Sequence, residues 1–176
     1  MASPPDLDHA LDVSGRQFMA AAEACSAEHW LLNPDADTWS PAQIVEHVVK
    51  VERAVSNALA AALHVDQAPD AVPTATAEAI RTALLDRTEH PPAPSHMLPS
   101  EAPASLEDLR PQFEAAHAAL RALERTVGDG LHHRYVKHGR FGQLNGRQWL
   151  VLLAAHAERH AEQLHEVSAR LAAAGR

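Results

Sequence analysis

Four stretches of this chain set apolar residues at helical spacing, and almost nothing between them has the composition of a strand. The first runs from about Asp6 to Glu28, with Leu7, Leu11, Phe18, Ala22 and Cys25 on one stripe. The second opens at Ser40-Pro41 with Gln43 following, which supplies an N-cap, a proline at the first helical position and a capping-box partner. Ile44, His47, Val48, Val51, Val55, Ala58 and Leu59 form its face, to about Leu63. The third begins at Ser105, and Leu106, Leu109, Phe113, Ala116, Leu120, Leu123 and Val127 make its stripe. Pro111 is expected to kink it or delay its start, because proline lacks the amide donor. The fourth opens at Asn145 with Gln148 as capping partner, and carries Trp149, Leu152, Leu153, His156, His160, Gln163, Leu164 and Val167 inward. Alanine dominates the apolar residues and glycine numbers only 7, which favours helix over strand. The pattern predicts an all-α four-helix bundle in a single domain over residues 1–176.

The connections differ in length. Residues 66–104 separate the second and third segments, long enough to cross the bundle so that these two helices run parallel. Within this crossover Ala77 to Arg87 reads as a short extra helix, and Glu89 to Pro103 carries five prolines and should be extended. Gly128 to Leu144 is expected to be irregular.

Composition excludes several function classes. Fifteen basic against 23 acidic residues give a formal charge of −8, with lysine only at positions 50 and 137, so the electrostatic footprint of a nucleic-acid binder is missing. No run approaches the ~18 apolar residues of a membrane span, and no secretion signal is visible. A single cysteine, Cys25, excludes an intrachain disulfide and suits a reducing compartment. A soluble cytoplasmic protein is expected.

Three histidines lie on faces built for a core: His47 in the second helix, and His156 with His160 one turn apart in the fourth. A buried imidazole needs a compensating partner. With 13 histidines in 176 residues, a shuffled chain would hold about one His-x-x-x-His pair, so the pair alone decides nothing. Its placement does: all three rings are expected to share the interior, without spare carboxylates on the same faces. A divalent metal ion held by neutral imidazoles is the simplest compensation, and three protein ligands leave a position open for water or substrate. Gln163, on the same face, is the candidate for orienting the incoming group. His117 is a flanking residue that could approach the site. Glu46 is a candidate support for an imidazole N–H, against a solvated position. Trp39 and Trp149 read as core aromatics.

Trp39-Ser-Pro-Ala-Gln-Ile-Val-Glu-His47 resembles the second-helix signature of the DinB/YfiT-like superfamily. Phe141-Gly142-Gln-Leu, then Trp149-Leu and His156-x-x-x-His160-x-x-Gln163, resembles its fourth-helix signature. The resemblance covers most of the chain. It implies an up-down-down-up bundle, commonly a homodimer, binding nickel or zinc through His47, His156 and His160. It implies metal-dependent chemistry on a small-molecule substrate: thiol S-transfer with a low-molecular-weight thiol co-substrate, maleylpyruvate isomerisation, or hydrolysis. The ion would activate water or a thiol, and Arg159 and Arg140 are the cations available to a thiol co-substrate. A non-catalytic, metal-stabilised binding or stress-response module is the alternative. Pro111 and the proline-rich crossover depart from the family pattern.

Overall fold

A computed structural model describes residues 6–65, 72–89 and 91–175. Among them are four long helices, α1 (Leu7–Glu23), α2 (Pro41–Ala62), α4 (Leu106–Val127) and α5 (Gly146–Ala173), and a shorter α3 (Ala77–Leu85). The helix starts follow their caps. Ser40 Oγ accepts from the Gln43 amide at 3.3 Å while Gln43 Oε1 accepts from the Ser40 amide at 3.0 Å. Asn145 and Gln148 repeat the reciprocal pair, both at 2.9 Å. Such a box satisfies two donors that a helix start would otherwise leave open.

α1 packs on α5 and α4, α2 packs on α4 and α5, and α3 lies along α5. Two apolar clusters fill the interior. One gathers Phe18, Ile44, Val48, Leu109, Phe113, Leu164 and Val167; the other gathers Leu7, Leu11, Val55, Leu59, Leu120, Leu150 and Leu153. Each fully buried aliphatic side chain of this kind contributes about 1.5–3 kcal/mol. Phe18 and Phe113 meet with ring centroids 5.2 Å apart, tying α1 to α4.

Three expectations need correction. α1 stops at Glu23, five residues short, and the chain turns so that Trp30 donates its indole N–H to the Ala104 carbonyl at 3.1 Å. Pro111 does not delay α4, which starts at Leu106; the ring sits on the exposed side, where the lost amide is solvent's to replace. The segment expected to be irregular holds a 3-10 turn (Gly128–His133) and an antiparallel hairpin, β1 (Tyr135–His138) with β2 (Gly142–Asn145), so the fold is mostly rather than wholly helical. Residues 66–71 of the crossover lie outside the described residues, as does His90.

The hairpin is stitched to the body. Trp149 donates its indole N–H to the Val136 carbonyl at 2.9 Å, and the Thr74 amide donates to Gln143 O at 3.2 Å. Gly142 has φ +73°, and a Cβ there would run into the Thr74 side chain, which itself bonds the Phe141 carbonyl. Gly142→Ala combines a left-handed backbone penalty with a steric one. It is expected to cost about 2–3 kcal/mol in urea unfolding.

Candidate metal centre

The seam between α2 and α5 brings His47, His156 and His160 together. One ring nitrogen from each lies within 4.8 Å of the other two. His156 Nε2 is 3.3 Å from His47 Nε2 and 3.1 Å from His160 Nε2. His47 and His160 are buried, and His156 is intermediate as a residue but has a buried Nδ1.

The other ring nitrogens set the tautomers. His47 Nδ1 donates to the Met97 carbonyl at 2.8 Å, and His160 Nδ1 donates to Gln163 Oε1 at 2.7 Å. With Nδ1 protonated in both rings, both Nε2 atoms present lone pairs to the common point. His156 Nδ1 is buried and has no partner among the described residues. One proton on His156 Nε2 could serve one of the facing lone pairs well, not both.

Burial is the main force on all three rings. It holds His47 below the usual imidazole range, and it does the same, more strongly, for His156, with His160 and His47 adding to it. Burial, with His47 next, brings His160 down to about 3. All three are therefore neutral at pH 7, the protonation state that ligates metal.

These residues fit a divalent cation. Nitrogens about 2.0–2.1 Å from one tetrahedral ion stand about 3.3–3.4 Å apart, and right-angled ligands about 2.8–3.0 Å. The two separations from His156 Nε2, 3.3 and 3.1 Å, fall in that interval, and the third pair lies within 4.8 Å. A cation would also take up the facing lone pairs that imidazoles alone leave opposed.

Gln163, which the sequence suggested as the group that orients an incoming molecule, accepts from His160 Nδ1 through its carbonyl oxygen and so orients a ring of the cluster. His117 is brought elsewhere: it pairs with Glu52 across α2 and α4, and its Nε2 donates to the Leu11 carbonyl at 2.9 Å. Arg159 donates to the carbonyls of Leu84, Asp86 and Glu89, and Arg140 pairs with Glu89. Both arginines thus fasten the crossover. Trp149 is a core aromatic, whereas Trp39 packs its ring 5.0 Å from that of His47. Two surface grooves of about 450 and 420 Å³ flank α1, and neither is lined by a triad histidine.

A family model described as the DinB superfamily matches residues 10–164. The chain belongs to the DinB superfamily. The matched span includes all three clustered histidines and Gln163. Among curated relatives, the uncharacterised protein YuaE of Bacillus subtilis (strain 168) is 23% identical over 138 residues, covering 78% of this chain and 82% of its own. YfiT from Bacillus subtilis, described as a probable metal-dependent hydrolase with an unusual four-helix bundle topology, superposes with a TM-score of 0.66 at 15% identity. That match covers 97% of this chain and 94% of YfiT. The four-helix bundle protein TT2238 gives a TM-score of 0.59 at 19% identity, over 92% of this chain and 97% of its own. At such identities the likeness establishes a shared fold. No helix among the described residues is long and apolar enough to cross a membrane.

Proposed function

We propose that this DinB-superfamily chain is a metal-dependent enzyme, a hydrolase or a thiol S-transferase acting on a small molecule. His47, His156 and His160 would hold one divalent ion, nickel or zinc. The carrying observation is the convergence of three Nε2 atoms while the Nδ1 atoms of His47 and His160 are bound elsewhere. A divalent ion in such a site lowers the pKa of water or of a thiol towards neutrality. The chain's own part is to keep three imidazoles neutral and aimed, His47 through Met97 and His160 through Gln163. YfiT's description as a probable metal-dependent hydrolase supports the same class of chemistry.

The proposal includes an up-down-down-up winding. Its support is that Leu7 and Leu11 at the start of α1 share a core cluster with Val55 and Leu59 late in α2, and with Leu150 early in α5. Homodimerisation and a cytoplasmic setting are proposed from the family resemblance and the sequence.

The test is elemental analysis of untagged protein, followed by turnover assays with activated esters and amides, and with low-molecular-weight thiols plus an electrophile. About one equivalent of metal per chain is expected, and turnover that a chelator removes and zinc or nickel restores. Metal binding without turnover on either panel would favour the non-catalytic module. Failure to retain or take up metal in any preparation would overturn the proposal.

A further inference from the structure

The crossover reaches the metal centre by a route that the sequence pattern hides. On α2, Gln43, Glu46, His47 and Lys50 fall at i, i+3, i+4 and i+7, one stripe of the helix. All four side chains bond the main chain of one short segment of the crossover. Gln43 Nε2 donates to Ser100 O at 3.5 Å, and Lys50 Nζ donates to Leu98 O at 2.9 Å. Glu46 Oε2 accepts from the Ser100 amide at 3.1 Å and from its hydroxyl at 2.8 Å. His47 Nδ1 donates to Met97 O at 2.8 Å. Glu46 Oε1 also meets Lys50 Nζ at 2.8 Å, so the two clamping side chains brace each other.

We propose that residues 97–100 form a strap that sets the metal affinity of the site through His47, with Glu46 as the positioning residue that holds the strap in place. The inference rests on the metal-centre reading above. Its physical content is tautomer control. A free neutral imidazole divides its proton between two nitrogens, whereas a fixed carbonyl at Nδ1 keeps the lone pair on Nε2, where a cation needs it. A backbone carbonyl is a good orienting group only where its own chain is held. Pro94 and Pro99 bracket Met97 with fixed φ, the Met97 amide donates to Pro94 O at 2.8 Å, and Glu46 grips the amide just after Pro99. Linkage makes the effect reciprocal: a cation that favours the Nδ1–H form of His47 also tightens the strap.

The experiment compares the full-length protein with Glu46→Ala and Glu46→Gln, measuring zinc affinity by chelator competition well below the melting temperature. Hydrogen exchange at the Leu98 and Ser100 amides is followed with and without zinc. Glu46→Ala is expected to weaken zinc about tenfold, the low end for a partner outside the ligand set because Met97 O itself remains. It should also abolish the zinc-dependent slowing of exchange at Ser100. Glu46→Gln keeps an acceptor for Ser100 and should stay within about threefold of the parent. A strap that merely stabilises the fold would shift the melting temperature and leave zinc affinity alone. If Glu46→Ala fails to fold by circular dichroism, Ser100→Ala removes the hydroxyl contact and should weaken zinc about threefold. Affinities within experimental error of the parent in the folded variants overturn the strap while leaving the metal centre standing. A parent that binds no zinc or nickel removes the metal reading and the strap with it.

Discussion

Replacing His156 with leucine is expected to abolish useful metal binding while leaving the metal-free bundle as stable as the parent, or more so. Binding of about 10–16 kcal/mol at a four-ligand zinc site is about 2.5–4 kcal/mol per ligand, so losing one of three should weaken zinc about a hundredfold or more. Stability should move the other way. In the metal-free protein His156 carries a buried Nδ1 without a partner among the described residues, and its Nε2 proton serves one of the two lone pairs that face it. Removing an unsatisfied buried polar group relieves about 1–3 kcal/mol, against which leucine's different shape and the lost Nε2 hydrogen bond, about 1 kcal/mol, must be set. Zinc titration calorimetry and urea unfolding in chelator measure the two halves separately. A leucine variant that loses about 2 kcal/mol or more in chelator would make His156 a structural residue and contradict the argument.

The same three rings give the metal-free parent an acid limb. Their folded pKa values are lowered, so below about pH 6.5 the unfolded chain binds protons that the native rings refuse. Stability present above that pH should fall as the pH drops, down to the region of His160's pKa of about 3. The leucine variant should show a shallower limb, because one such ring is gone.

How much of this could be read from the chain depends on which physical signal each residue carries. The starts of α2 and α5 were legible because Ser40/Gln43 and Asn145/Gln148 are local devices, complete within four residues. The clustering of His47, His156 and His160 was legible because a polar ring on an apolar stripe is a contradiction that only the interior can resolve. The hairpin was not legible: Tyr135–His138 and Gly142–Asn145 are too short to display a period of two, and their partners at Thr74 and Trp149 are distant in sequence. The strap escaped for a similar reason, since Met97 contributes a backbone carbonyl and side-chain patterns say nothing about carbonyls. Glu52 was a different omission. It stands four residues after Val48 and three before Val55, inside the apolar stripe of α2, and His117 stands four after Phe113 and three before Leu120 in α4. Two oppositely ionising groups at matching positions on two buried stripes were a readable pair.

That pair supplies the second large effect. Glu52 is 1% exposed, and both its oxygens lie 3.1–3.2 Å from His117 Nδ1, while His117 Nε2 is committed to Leu11 O. Gly15 of α1 makes the room, because a Cβ there would sit 2.5 Å from His117 Nε2. Glu52→Ala removes one partner of a buried pair, for which about 3–5 kcal/mol is the usual range; the lower end is expected because His117 can shed its proton. Glu52→Gln should cost much less, about 1 kcal/mol, since its amide can donate to the neutral Nδ1 while Nε2–H keeps Leu11. The pH dependence separates these cases. Burial opposes charge on His117, yet the Glu52 carboxylate and the Leu11 carbonyl together outweigh it and hold the ring above the ordinary imidazole range. Burial likewise holds Glu52 above the usual carboxylate range, against the pull of His117. The native pair therefore keeps a proton that the unfolded chain releases, and stability from this source is lost as pH rises above about 6.5 through the raised folded pKa of His117. This limb is opposite in sign to that of the triad, so unfolding free energy in chelator should pass through a maximum with pH. Glu52→Gln should flatten the alkaline side and steepen the acid side, because burial of His117 is then no longer offset by a carboxylate and the ring stays neutral. Urea unfolding across pH 5–9 tests this, and an unchanged alkaline limb in the glutamine variant would show that the Glu52–His117 pair is not its source.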